Sequence, residues 1–99
     1  MVHKRIRDLR IENGLKQAVV AEVLHVAQPT YSRYETDDRH ISLDTVHQLA
    51  DYYDVSVDYM LGRTDERGTY RRATGYQPKV TPLSQQVAEK SSYGKSADQ

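Results

Sequence analysis

Apolar side chains recur at helical spacing, in short blocks, along the first 62 residues. Val2, Ile6 and Leu9 follow an i, i+4, i+7 pattern that stops at Asn13-Gly14, the signature of a helix closed by glycine. Val20, Ala21 and Leu24 share one face of a second block that begins at Gln17 and is interrupted by His25-Val26-Ala27. Pro29 fits the first turn of a third helix over 28–35, because the amide proton that proline lacks has no partner there. That helix buries Tyr31 and Tyr34. Thr36 to Ile41 reads as a polar loop, and Ser42 then caps a fourth helix with Leu43, Val46, Leu49, Ala50 and Tyr53 on its apolar face. Ser56 caps a fifth helix carrying Val57 and Leu61 and ending at Gly62. No stretch alternates with period two for long enough to make a strand, so the expected fold is all-α.

After Gly62 apolar residues become sparse among Arg, Thr, Ser, Gln, Gly and Pro. The change divides the chain into a folded domain, 1–62, and a polar, basic and mostly disordered tail, 63–99. One short helix is a candidate over 82–90, with Thr81 as cap, Pro82 in the first turn and Leu83 and Val87 as an apolar pair. Such a short helix is marginal in isolation.

The length of 99 residues allows one modest core and leaves little chain to build a deep catalytic cleft. The sequence has no cysteine, which removes disulfides, thiolate-bound zinc and thiol nucleophiles and suits a reducing compartment. His3, His25, His40 and His47 lack zinc-site spacing, and neither a glycine-rich phosphate loop nor a nucleophile set is present. No enzyme, catalytic residue, metal or cofactor is therefore expected. Apolar runs fall far short of the ~20 residues of a membrane span, which makes the cytoplasm the expected location. The net charge of zero conceals an asymmetry: residues 1–62 hold seven Lys/Arg against ten Asp/Glu, and residues 63–99 hold seven against four. An acidic domain is joined to a basic tail.

Two short helices joined by a three-residue turn form the mechanical unit of a helix-turn-helix, whose second helix can enter the DNA major groove. Counting from Gln17, that unit needs buried residues where Val20, Leu24, Val26, Tyr31 and Tyr34 stand, and a small one at Ala21. Five segments extend the match: Ile6-Arg7-Asp8-Leu9-Arg10, Leu15-Lys16-Gln17, Gln28 to Glu35, Ile41-Ser42-Leu43-Asp44-Thr45, and Asp51 to Gly62. In these, over residues 4–62, the chain resembles the phage-repressor and Cro-like helix-turn-helix regulators, also called the xenobiotic-response-element type.

The resemblance implies a compact five-helix, lambda-repressor-like domain, bacterial or phage-encoded, that regulates transcription, with repression the expected mode. Its partner would be double-stranded operator DNA with inverted repeats, bound by a homodimer with half-sites about one helical turn (~34 Å) apart. Carried over residue by residue, Gln28, Thr30, Ser32 and Arg33 become base-reading residues, and a glutamine amide can pair bidentately with adenine. Gln17, Arg39 and His40 become contacts to the DNA backbone. Arg10 and Glu35 match positions that pair structurally between the first and third helices. Arg33 has a second reading as half of a surface pair with Glu.

Three departures stand out. His25 occupies a turn position that favours glycine at positive φ. Lys16 and Ala27 stand where Ser or Thr commonly cap helices. Asp37 and Asp38 put acids into a loop that should approach phosphate. Arg63, Arg67, Arg71 and Arg72 after the domain would either add affinity for DNA or contact the acidic domain surface. Tyr52, Tyr59 and Met60, beyond what the core requires, are the candidate dimer interface. The rival reading is a protein-interaction module, such as an antitoxin or regulatory adaptor, docking through Val19 and Val23. A signal would act through the tail, the interface or a protein modulator.

Overall fold

The computed structural model describes residues 1–68 and 74–85. Five α-helices follow one another: α1 (Val2–Glu12), α2 (Gln17–Val23), α3 (Gln28–Tyr34), α4 (Leu43–Tyr53) and α5 (Val57–Met60), with a 3-10 turn over Asp38–His40. Among the described residues there is no strand. The all-α, five-helix expectation therefore holds, with helix ends within a residue or so of those read from the periodicity.

Each helix contributes the face that its spacing selects. Ile6 and Leu9 of α1 meet Val20 and Ala21 of α2, Tyr31 and Tyr34 of α3, Val46, Leu49 and Ala50 of α4, and Tyr59 and Met60 of α5 in one buried cluster. Each large side chain so buried contributes about 1.5–3 kcal/mol relative to leaving it in water. Tyr52, Tyr59 and Met60 are core residues in the single chain, exposed by only 1, 7 and 0 %. Leu43 departs from its expected place on the apolar face: as the first residue of α4 it lies before the turns that face the cluster and stands exposed.

Helix ends explain how the chain turns. Ser42 Oγ accepts from Thr45 N at 3.1 Å and Ser56 Oγ from Tyr59 N at 3.0 Å, satisfying amides that the helices leave open. Lys16 and Ala27 make no such side-chain bond at the starts of α2 and α3. Between those helices His25 adopts φ +57°, the left-handed region. A side chain there is strained where glycine is not. His25→Gly is accordingly expected to raise stability by about 0.5–1 kcal/mol, read as a higher denaturation midpoint; an unchanged or lower midpoint would argue against strain at the turn.

Beyond Gly62 several of the described residues contact the helices. The Ser56 amide donates to the Arg67 carbonyl at 3.0 Å, while the Arg67 and Arg5 guanidiniums stand 5.3 and 4.0 Å from the Tyr59 ring centroid. Further on, Tyr76 Oη donates to the buried Asp51 carboxylate, Lys79 Nζ reaches Asp44 Oδ1 at 2.8 Å, and Val80 and Pro82 are buried. Lys79, Val80 and Thr81 share a groove with Val19, Glu22, Val23 and His25 of the α2 side, and Leu83 lines another with Leu15, Tyr52 and Tyr53. Residues 83–85 are helical, and the rest of the candidate helix over 82–90, like Arg71 and Arg72, lies outside the described residues. Ending the chain after Gly62 removes the cover over Val80's neighbours and the Ser56–Arg67 bond, so it is expected to cost about 2 kcal/mol of unfolding free energy. Equal denaturant midpoints for the full and shortened chains would contradict this.

Candidate nucleic-acid interface

The surface of interest follows from how α3 is held. Tyr31 and Tyr34, three residues apart, turn inward, with their rings edge to face at a centroid distance of 6.2 Å. The opposite side of the same short helix leaves Gln28 and Arg33 exposed and Thr30 and Ser32 half-buried at its flanks. The four residues named as base readers thus lie on one short helix whose other side is fixed in the core. Val26 N donates to Ala21 O at 3.0 Å across the turn, setting α3 relative to α2.

A buried ion pair anchors the far end of α3. Arg10 Nε donates to Glu35 Oε2 at 2.6 Å and Nη2 to Oε1 at 3.1 Å, while Nη1 reaches the Leu15 carbonyl at 2.9 Å. One guanidinium therefore ties α1, the loop before α2 and the end of α3 together. Burial pushes the Glu35 carboxyl up, but hydrogen bonds led by Arg10 outweigh it and hold it below the usual range. Gln17 joins this cluster: its Nε2 donates to Glu35 Oε1 at 3.1 Å, so its amide group is held inward at the start of α2. With Glu35 engaged by Arg10, Arg33 has no ion-pair partner among the described residues and stands free on the surface.

The loop after α3 carries the remaining assigned residues. Arg39 and His40 lie on the 3-10 turn; Arg39 is bonded to Asp37, its Nη2 2.7 Å from Oδ2, and His40 Nε2 lies 3.8 Å from the same oxygen. The Arg39 side chain and backbone together hold the Asp37 carboxyl down to about 2. Asp38 is met by the Met1 ammonium at 2.6 Å and by His3 Nδ1 at 2.6 Å. Asp44, at the start of α4, is met by Lys79 and held below the usual range by it. The acids of this side therefore have cations of the same chain bound to them. That matters for a surface facing phosphate, because Asp37, Asp38 and Asp44 are each offset by a nearby cation, while Lys16 and Arg33 are exposed with no ion-pair partner among the described residues.

Sequence reasoning did not find the Gln17–Glu35 bond, the Asp37–Arg39 pairing or the Lys79–Asp44 contact. The charges were visible, but which ones meet depends on a 3-10 turn and on chain that returns from beyond Gly62. Among the described residues no helix is long and apolar enough to cross a membrane.

A sequence profile of the family described as "Helix-turn-helix" matches residues 6–60. The chain belongs to this family. Among curated proteins it is similar to the uncharacterized HTH-type transcriptional regulator YobD of Bacillus subtilis, 41% identical over 66 residues, covering 67% of this chain and 59% of the relative. It is also similar to the HTH-type transcriptional regulator ImmR of Bacillus subtilis, 37% identical over 62 residues, or 63% of this chain and 49% of the relative. A third similarity is to the cryptic phage CTXphi transcriptional repressor RstR of Vibrio cholerae, 40% identical over 57 residues, or 58% of this chain and 51% of the relative. The chain spans about half to three fifths of the length of these helix-turn-helix relatives. No solved structure gives a significant match. Family membership agrees with the resemblance drawn from the five segments.

Proposed function

We propose that the chain is a sequence-specific DNA-binding transcriptional regulator, acting as a repressor, that inserts α3 into the major groove of its operator. The observation that carries this is the division of α3: Tyr31 and Tyr34 are buried, while Gln28 and Arg33 are exposed within a matched helix-turn-helix. Gln28, Thr30, Ser32 and Arg33 read base edges, the amide of Gln28 suiting adenine and the guanidinium of Arg33 suiting guanine or phosphate. Arg39 and His40 meet the DNA backbone, as does Gln17 through its main-chain amide at the start of α2, its side chain being held by Glu35. Repression is supported by the similarity to the Vibrio cholerae relative, which is named a transcriptional repressor.

In this reading residues 1–62 form the DNA-binding unit, the partner is an operator with inverted repeats, and the active species is a cytoplasmic homodimer, open to a protein modulator. Tyr52, Tyr59 and Met60, the residues expected at the dimer interface, are buried in the single chain and offer a partner little surface. The test is selection from a random duplex library with the purified chain. An enriched motif of two inverted half-sites about one turn (~34 Å) apart is expected. Failure to enrich any motif would overturn the reading in favour of a module that docks a protein through Val19 and Val23.

A further inference from the structure

Arg39 is a conspicuous cation in the loop beside α3, its side chain 87% exposed, yet its guanidinium is already occupied. Nε lies 3.1 and 3.0 Å from the two oxygens of Asp37, and Nη2 lies 2.7 Å from Oδ2. This forked contact is the one a guanidinium makes with phosphate oxygens. Asp37 is the less mobile partner, because its Oδ1 also accepts from the Arg39 backbone amide at 2.9 Å and caps the 3-10 turn.

From this we infer that Asp37 is a specificity-determining residue: it occupies Arg39 as a phosphate would, and releases it only when base contacts by α3 hold the loop against the DNA backbone. The inference rests on the DNA-binding reading above. A duplex without the operator sequence meets a loop whose arginine is neutralised, so it gains little from Arg39. On the operator, α3 fixes the approach and a phosphate oxygen replaces the carboxylate. Exchange is feasible because solvent-exposed ion pairs are individually weak. The result is low affinity for random DNA, achieved without removing the cation that the specific complex uses.

The test compares the full-length protein with Asp37→Asn, Arg39→Ala and the double variant, on a random-sequence duplex and on the duplex obtained by selection, each over a range of salt concentrations. Asparagine can still cap the turn, so the fold is kept, and circular dichroism checks it. Asp37→Asn is expected to bind the random duplex about three- to tenfold more tightly at low salt, with a salt slope steeper by about one, as for one added phosphate contact. Its salt slope on the selected duplex should match that of the parent. In the Arg39→Ala background the same change should have an effect below about twofold, because the residue acts through Arg39. An equal gain with and without Arg39 would mean that Asp37 acts only as a diffuse negative charge and would overturn the proposal. So would an unchanged slope on random DNA. If none of the proteins binds either duplex, the DNA-binding reading itself fails and the specificity role falls with it. Elution from heparin, a polyanion without bases, then still reveals whether Asp37 restrains Arg39, which separates the two failures.

Discussion

Replacing Arg10 by alanine is expected to destabilise the fold by about 3–4 kcal/mol at neutral pH, a large loss for a domain of this size. Three bonds disappear together: the two to Glu35 and the one to the Leu15 carbonyl. The Glu35 side chain, only 3% exposed, is then left charged in a buried site without its cation, although the Gln17 amide still donates to it. Pairing two buried charges gains little over an apolar pair, whereas deleting one partner strands the other. The pH dependence gives a sharper check. In the parent the Glu35 carboxyl is held below its ordinary value of 4.5, so its contribution is present above that value and is lost as the pH falls through the depressed folded value. Without Arg10, burial pushes the carboxyl up, so the variant's penalty is relieved as the pH falls and Glu35 takes up a proton. The stability gap between parent and variant, measured by urea unfolding, should therefore shrink between neutral pH and about pH 4. A gap that is constant over this range, or below about 1 kcal/mol throughout, would contradict the account.

The architecture was legible in the sequence because helices advertise themselves by spacing. Ile6 and Leu9, Val20 and Ala21, and Val46, Leu49 and Ala50 could be assigned to the core from periodicity alone, and all are buried. Ser42 and Ser56 could be named as caps because a hydroxyl before an apolar-periodic run has few other roles. The exposed Leu43 shows where that logic stops: the first helical residue satisfies the count but precedes the turn that faces the core.

Pairings between distant residues were far less readable. Arg10 and Glu35 come together across 25 residues, and only the resemblance, not composition or spacing, linked them. Asp37 looked like a liability beside phosphate because the sequence does not reveal that its carboxylate folds back on Arg39. The packing of Val80 and Pro82 was equally hidden. Isolated apolar residues in a polar stretch carry no period, so their burial depends on the surface that α2 and α4 offer once folded. That surface also bears the acids that Lys79 and Tyr76 meet, which gives the charge asymmetry between the two parts of the chain a structural expression.

The second large effect concerns α3. Gln28 and Arg33 are exposed and Arg33 is unpaired among the described residues, so truncating either should leave stability within about 0.5 kcal/mol of the parent. A good bidentate contact to a base discriminates by about 1–3 kcal/mol, so Gln28→Ala should weaken binding to the selected operator by about ten- to a hundredfold. Binding to random duplex should hardly change. Arg33→Ala should weaken operator binding comparably if it reads guanine, and should weaken operator and random duplex alike, with a shallower salt slope, if it meets phosphate.

The most direct measurement of the central claim is therefore a base-by-base one. The dissociation constant of Gln28→Ala would be measured on the selected operator and on single-substitution variants of each half-site. Loss of discrimination at one base position, symmetrically in both half-sites, with the other positions still distinguished, is the result expected of a residue on α3 that reads an edge in the major groove. Unchanged discrimination at every position, with the variant folded and binding as the parent does, would show that α3 does not read this operator.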